Sequence, residues 1–151
     1  MTILIPRTLD RKEIDTFRQN IVDGAGAVET RATTLESRAT TLETITWVAV
    51  TSFSNSWVNY GNGYNPAAYC KDGMGFVHIK GLIKDGTLTE TAFTLPIGYR
   101  PSDSCLFASM SFGSATYKPT QVEILSDGSV KVGWNGGSDW LSLDGITFYA
   151  G

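Results

Sequence analysis

Histidine is almost missing from this 151-residue chain, with a single copy at His78, and cysteine occurs twice. Two cysteines cannot staple a disulfide-dense scaffold. With one His and no second Cys at ligand spacing, no metal site is expected. Cys70 and Cys105 read as thiols buried like small hydrophobes. Charge is also scarce. Asp, Glu, Lys and Arg make up 18% of residues, and the formal balance is −3. That is too little charge, and of the wrong sign, for a nucleic-acid partner. No run approaches the 18 apolar residues of a membrane span, so no membrane insertion is expected. The opening MTILIPRTLDRKE lacks a long apolar segment, so no secretory signal is expected and synthesis is cytoplasmic. No G-x-S-x-G, P-loop or H-E-x-x-H occurs. His78 sits in an alternating stretch and reads as structural. Asp139 and Asp144 would make a carboxylate pair for glycoside hydrolysis, but Asp144 is explained by its Asp-Gly turn. The expectation is a protein that is not an enzyme and needs no cofactor.

Glycine and aromatic residues are present but unevenly placed. Residues 1–46 hold 2 of the 16 Gly and only Phe17 among the aromatics; the rest follow from Trp47 onward. The poor segment carries a seven-residue repeat. ETRATTL at 29–35 is followed by ESRATTL at 36–42, and then by Glu43. With Leu on position d, Val28, Leu35 and Leu42 form the d layer, and Ala25, Ala32 and Ala39 the a layer. Arg31 and Arg38 fall on g, where each meets Glu36 or Glu43 on e of a parallel neighbour. These are the requirements of a parallel coiled coil, although Ala at a leaves the number of strands open. Thr fills b and c and is a mediocre helix former, so association has to hold the helix. Ile14 and Ile21 continue the register upstream, and Phe17 lies on their face. Asp10 and Glu13 read as a capping box. Gly24 and Gly26 each weaken a helix by about 1 kcal/mol. The sequence therefore predicts a helix over 11–22, a joint at 23–26 and a stalk helix over 27–44. Residues 1–10, with Ile3 and Ile5, read as an extended, sticky leader.

After Trp47 the period changes to two. Residues 76–83 alternate, with Val77, Ile79 and Ile83 on one face, and turn at Asp85-Gly86. Residues 122–124 and 130–132 form a hairpin around Asp127-Gly128. Residues 105–112 and 146–149 add further strands, and 47–50 starts the first. Seven or eight short strands with no intervening helix predict an antiparallel β-sandwich or jelly roll. Residues 92–101, with two Pro and one Gly, read as a rigid connection and not a central strand. The expected organisation is an attachment segment (1–26), a coiled-coil stalk (27–46) and a β-sandwich head (47–151).

A short heptad stalk feeding a small all-β head resembles the trimeric receptor-binding and tail-fibre proteins of bacteriophages. The head carries their texture in VHIKG (77–81), LPIGYRP (95–101), VEI (122–124) with its Asp-Gly turn, and WLSLDGITF (140–148). The resemblance implies a homotrimeric virion protein, attached by Ile3, Ile5, Ile14, Phe17 and Ile21 to other virion proteins of the tail, baseplate or capsid. It carries over no defined binding residues, because such tips vary their ligands by loop.

Two segments combine aromatics with short polar residues. A sugar ring needs a flat apolar face, and its hydroxyls need amides or carboxylates. Trp57, Tyr60, Trp134 and Trp140 are candidates for the first role. Asn59, Asn62, Asn135 and Asp139 are candidates for the second. The reading is a receptor-binding tip for a host cell-surface saccharide. A capsid decoration protein or head fibre anchored by residues 1–22 needs the same trimer and is the alternative. A glycan-degrading tail enzyme is the weaker one. A cellular trimer with a complement-type head is disfavoured by the missing signal and disulfides.

Overall fold

In this computed structural model the described residues are 10–43 and 45–151, the side chains of 41–43 excepted. The roles expected of Ile3 and Ile5, and of the Leu42 and Glu43 side chains, lie outside them. The chain divides into two compact units, Met1–Thr41 and Leu42–Gly151.

The first unit holds all but the last two residues of one helix, α1 (Arg11–Glu43). Its start is the expected capping box: the Asp10 N–H donates to Glu13 Oε2 at 2.9 Å and the Glu13 N–H to Asp10 Oδ1 at 2.8 Å. The joint expected at 23–26 is instead helix. Two glycines weaken a helix without breaking its hydrogen-bond ladder, and nothing here competes for it. Gln19 bonds the Asp23 carboxylate one turn on, and the Thr30 hydroxyl bonds the Gly26 carbonyl. Continuity places Ile14, Ile21, Val28 and Leu35 in one unbroken register. All four are exposed, as is Phe17 at 62%. Ala32, Ala39, Arg31, Glu36 and Arg38 are exposed as well.

The second unit is built from two antiparallel sheets around one core. Its strands are β1 (Val48–Ala49), β2 (Val58–Asn59), β3 (Ala68–Lys71), β4 (Phe76–Lys80), β5 (Leu82–Lys84) and β6 (Thr91–Thr94). They continue with β7 (Cys105–Gly113), β8 (Thr116–Ile124), β9 (Ser129–Val132), β10 (Trp140–Ser142) and β11 (Ile146–Tyr149). A four-stranded sheet runs β1-β3-β4-β11, and a seven-stranded sheet runs β2-β5-β10-β7-β8-β9-β6. Val77, Ile79, Phe148, Ile83, Leu141, Val122, Val130 and Phe93 meet in the core between them.

Three details depart from the sequence pattern. The run 76–83 is two strands, because the chain changes sheets at Gly81. There φ is +116°, and a Cβ would strike the Ala67 backbone at 2.6 Å. Residues 91–94 are a strand, but an edge one, so the Pro-bearing stretch still avoids the centre of a sheet. The longest hairpin, β7–β8, turns on Ser114 and Ala115, both at positive φ (54° and 58°). This is type I′ backbone without the usual Asn or Gly.

Candidate functional site

The Gly-rich segment 133–139 lies against the β7–β8 hairpin. A Cβ on Gly137 would overlap the Phe112 carbonyl. The Gly137 N–H donates to Ser111 Oγ at 2.7 Å, and Ser111 shares a buried hydroxyl pair with Thr120. Asn135 Nδ2 donates to the Pro119 carbonyl at 2.9 Å. These contacts deliver Trp140 to the outward face of the seven-stranded sheet. There it pairs in register with Phe112, and the two rings stack with an interplanar angle of 11°. Tyr117, opposite Phe112 on β8, meets both rings edge-on.

The other aromatic segment arrives from the opposite side. Asn59 Oδ1 accepts the Ala67 N–H at 2.7 Å and the Tyr60 N–H donates to Leu82. The loop 61–65 closes through a turn in which Gly61, Asn62 and Gly63 all have positive φ. Tyr60 and Tyr64 make an edge-to-face pair. The result is a cleft of about 200 Å³ lined by Tyr60, Tyr64, Leu82, Tyr117 and Trp140. Tyr64 and Tyr117 are 60% and 69% exposed, so their ring faces are open to a ligand. Lys84 reaches over Tyr60, 5.9 Å from the ring centre, and pairs with Asp85 at 3.3 Å. An apolar floor, phenolic hydroxyls and a rim of one cation and one anion suit a polyhydroxylated ring: CH faces stack and hydroxyls find partners.

The structure sorts the eight expected ligand contacts. Tyr60 and Trp140 line the cleft together. Asn62 and Asp139 are exposed. The side chains of Asn59 and Asn135 each hold a loop through one polar atom, Asn59 Oδ1 to the Ala67 N–H and Asn135 Nδ2 to the Pro119 carbonyl. Trp57 is corrected outright: it is 1% exposed, its indole N–H bonds the Thr87 carbonyl, and it packs where Gly86 leaves room for its ring. Trp134, 80% exposed, borders a separate shallow cleft of about 170 Å³ with Gln121, Glu123 and Lys131. Sequence reasoning missed Tyr64, Tyr117 and Phe112. The signal for Tyr117 is its two-residue spacing from Pro119 on one strand face opposite Phe112 and Met110.

The outward face of the four-stranded sheet sets a polar network beside an exposed aromatic pair, Phe76 and Tyr149. His78 uses both ring nitrogens, Nδ1 to the Thr147 hydroxyl at 3.0 Å and Nε2 to Asp72 at 3.1 Å. The His78 bond, with backbone N–H groups of Phe76 and Met74, holds the Asp72 carboxyl below the usual carboxylate range. Beside them Cys70 is a free, buried thiol whose pKa burial pushes up. Such a thiol is a poor nucleophile at neutral pH. Lys80 lies 4.0 Å above the Trp47 ring.

No protein-family model and no curated protein matches the chain. Among solved structures it is similar to the receptor binding protein (gp15) of Listeria phage PSA. The TM-score is 0.65 at 19% sequence identity, over 95% of this chain and 89% of that one. At that identity the likeness is one of fold: a mainly β chain with antiparallel sheets.

Proposed function

We propose that this chain is a non-enzymatic receptor-binding protein of a bacteriophage virion. In this reading it is a homotrimer with α1 as its coiled-coil stalk. The N-terminal segment attaches to the tail or baseplate, and the head binds a host cell-surface saccharide. The aromatic cleft of Tyr60, Tyr64, Tyr117 and Trp140 carries the reading. A phage receptor-binding protein of the same fold supports the virion context. The exposed d-layer residues Val28 and Leu35 of α1, with complementary Arg and Glu on g and e, support parallel self-association of the helix, and the resemblance supplies the number three. Three clefts on one particle raise a weak sugar affinity by avidity.

The test is binding of the full chain to immobilised bacterial cell-wall polysaccharides and to the cells they come from. The variant Tyr64→Ala/Tyr117→Ala removes two exposed rings that the core does not use. Binding is expected to fall at least ten-fold, about 1.4 kcal/mol, with mass and unfolding midpoint unchanged. Unaltered binding by that variant sinks the cleft. Loss of binding in Trp134→Ala alone would move the site to the Trp134 cleft.

A further inference from the structure

We propose that Asn62 is a self-modification site: it loses its side-chain amide to attack by the Gly63 backbone nitrogen, and the product reshapes the aromatic cleft. The effect on binding rests on the saccharide reading above; the chemistry rests on the loop alone. The chain has two Asn-Gly pairs, Asn62-Gly63 and Asn135-Gly136, one in each aromatic segment. The fold leaves the first free and locks the second. The loop 61–65 is held at its ends, where the Tyr60 N–H donates to the Leu82 carbonyl and the Leu82 N–H to the Asn65 carbonyl. Inside it, the Tyr64 N–H donates to the Gly61 carbonyl. Asn62 is exposed, and among the described residues neither its side chain nor the Gly63 N–H has a hydrogen-bond partner. Beyond its chain neighbours, no atom lies within 4 Å of where a Gly63 Cβ would stand. Glycine puts no side chain over its own nitrogen, so that nitrogen is open to Asn62 Cγ. At the other pair both reacting groups are engaged. Asn135 Nδ2 donates to the Pro119 carbonyl at 2.9 Å, and the Gly136 N–H donates to the Gly133 carbonyl at 3.3 Å. Gly136 is also buried, with Thr120 Cγ2 only 2.8 Å from where its Cβ would stand.

The reaction needs water and no other reagent. The Gly63 nitrogen bonds to Asn62 Cγ and closes a cyclic imide. The Cγ–Nδ2 bond breaks, and Nδ2 leaves as ammonia with the proton from Gly63. Nucleophile and target are neighbours in one chain, so the attack is intramolecular. Water then opens the imide at one of its two carbonyls. Opening at Cγ breaks the new bond and gives aspartate. Opening at the Asn62 main-chain carbonyl breaks the original peptide bond and gives isoaspartate, whose main chain runs through Cβ and Cγ. No electrons are gained or lost. Both products set a carboxylate where a neutral amide stood. Isoaspartate also adds one carbon to the main chain between Tyr60 and Tyr64. Those two rings meet edge-on, 5.4 Å between centroids, and line the cleft together. A longer loop between the same fixed ends moves one ring against the other, and the converted head holds a saccharide less tightly.

Ageing the intact full chain in mildly alkaline buffer tests this. Peptide mass spectrometry follows the change from amide to acid at both pairs. Two hydrogen bonds have to break before Asn135-Gly136 can close, so Asn62 is expected to convert faster by roughly ten-fold or more. In urea the two rates are expected to converge. Equal rates in the folded chain overturn the proposal, as does an Asn62 that converts in urea and not in the folded chain. Chain converted at Asn62 and intact at Asn135 is then compared with fresh chain on the immobilised cell-wall polysaccharides. Binding is expected to fall by roughly ten-fold or more, with the unfolding midpoint unchanged. Converted chain that binds as fresh chain does overturns the effect on the cleft. Fresh chain that binds none of the polysaccharides overturns the saccharide reading, and the two conversion rates still decide the modification.

Discussion

The helix and the head reach stability by opposite routes. In α1 the apolar residues Ile14, Phe17, Ile21, Val22, Val28 and Leu35 are all exposed. No burial within the described residues supports that segment, and 33 residues with many Thr gain little from propensity alone. In the head, by contrast, Phe93, Ile83, Leu95, Ile124, Leu141 and Leu143 have essentially no exposed surface. The contrast teaches where each unit can be broken: the head through its buried core, the helix through its exposed apolar stripe.

The largest effect expected is Phe93→Ala. Deleting a fully buried ring should lower head stability by about 3–5 kcal/mol in urea titration, with helical ellipticity retained. Leu35→Asp should do the converse, collapsing helical ellipticity while the near-ultraviolet signal of the head persists. A helix that survives Leu35→Asp at high dilution would show that it stands alone, and the contrast would fail. Acid comes next. Asp72 is held low chiefly by His78, and Asp127 chiefly by the Ser129 N–H and hydroxyl. A carboxyl lowered in the folded state stabilises fully above the unfolded value of about 3.9. That stabilisation fades as pH falls from there through the lowered values. Head stability should therefore decline below about pH 4, and Asp72→Asn should flatten part of the decline. If the acid limb is the same in that variant, the Asp72 contacts contribute nothing. Smallest is Ala115→Gly. Relief of a left-handed alanine should raise the head's stability in urea titration by about 1 kcal/mol and leave α1 untouched.

Much of this architecture could be read before any coordinates. The heptads at 29–43, the capping box at Asp10, the 122–132 hairpin and the closing strand at 146–149 each have a local cause. The misses have causes that are not local. Gly24 and Gly26 suggest a joint only if something competes with the helix, and nothing near them does. Ser114-Ala115 hides a tight turn because its positive φ is imposed by the paired strands and not by residue type. The run 76–83 looks like one strand until Ala67 is seen against Gly81. The site was half legible for the same reason. Tyr60 and Trp140 sit in segments whose composition announces a surface. Tyr117 sits in a strand, and only cross-strand register brings it to Trp140. Trp57 was misleading because its polar neighbours are exposed while Gly86, 29 positions on, makes room for its ring.

That last pairing separates two kinds of freedom in the chain. Trp57 and Gly86 occupy one volume, so neither position can drift unless the other follows. Tyr64 and Tyr117 have no such tie: each could change without disturbing the sheets beneath. A lineage carrying this head can therefore exchange the exposed residues that line its cleft while keeping the frame fixed, and sequence likeness would erode first at the cleft.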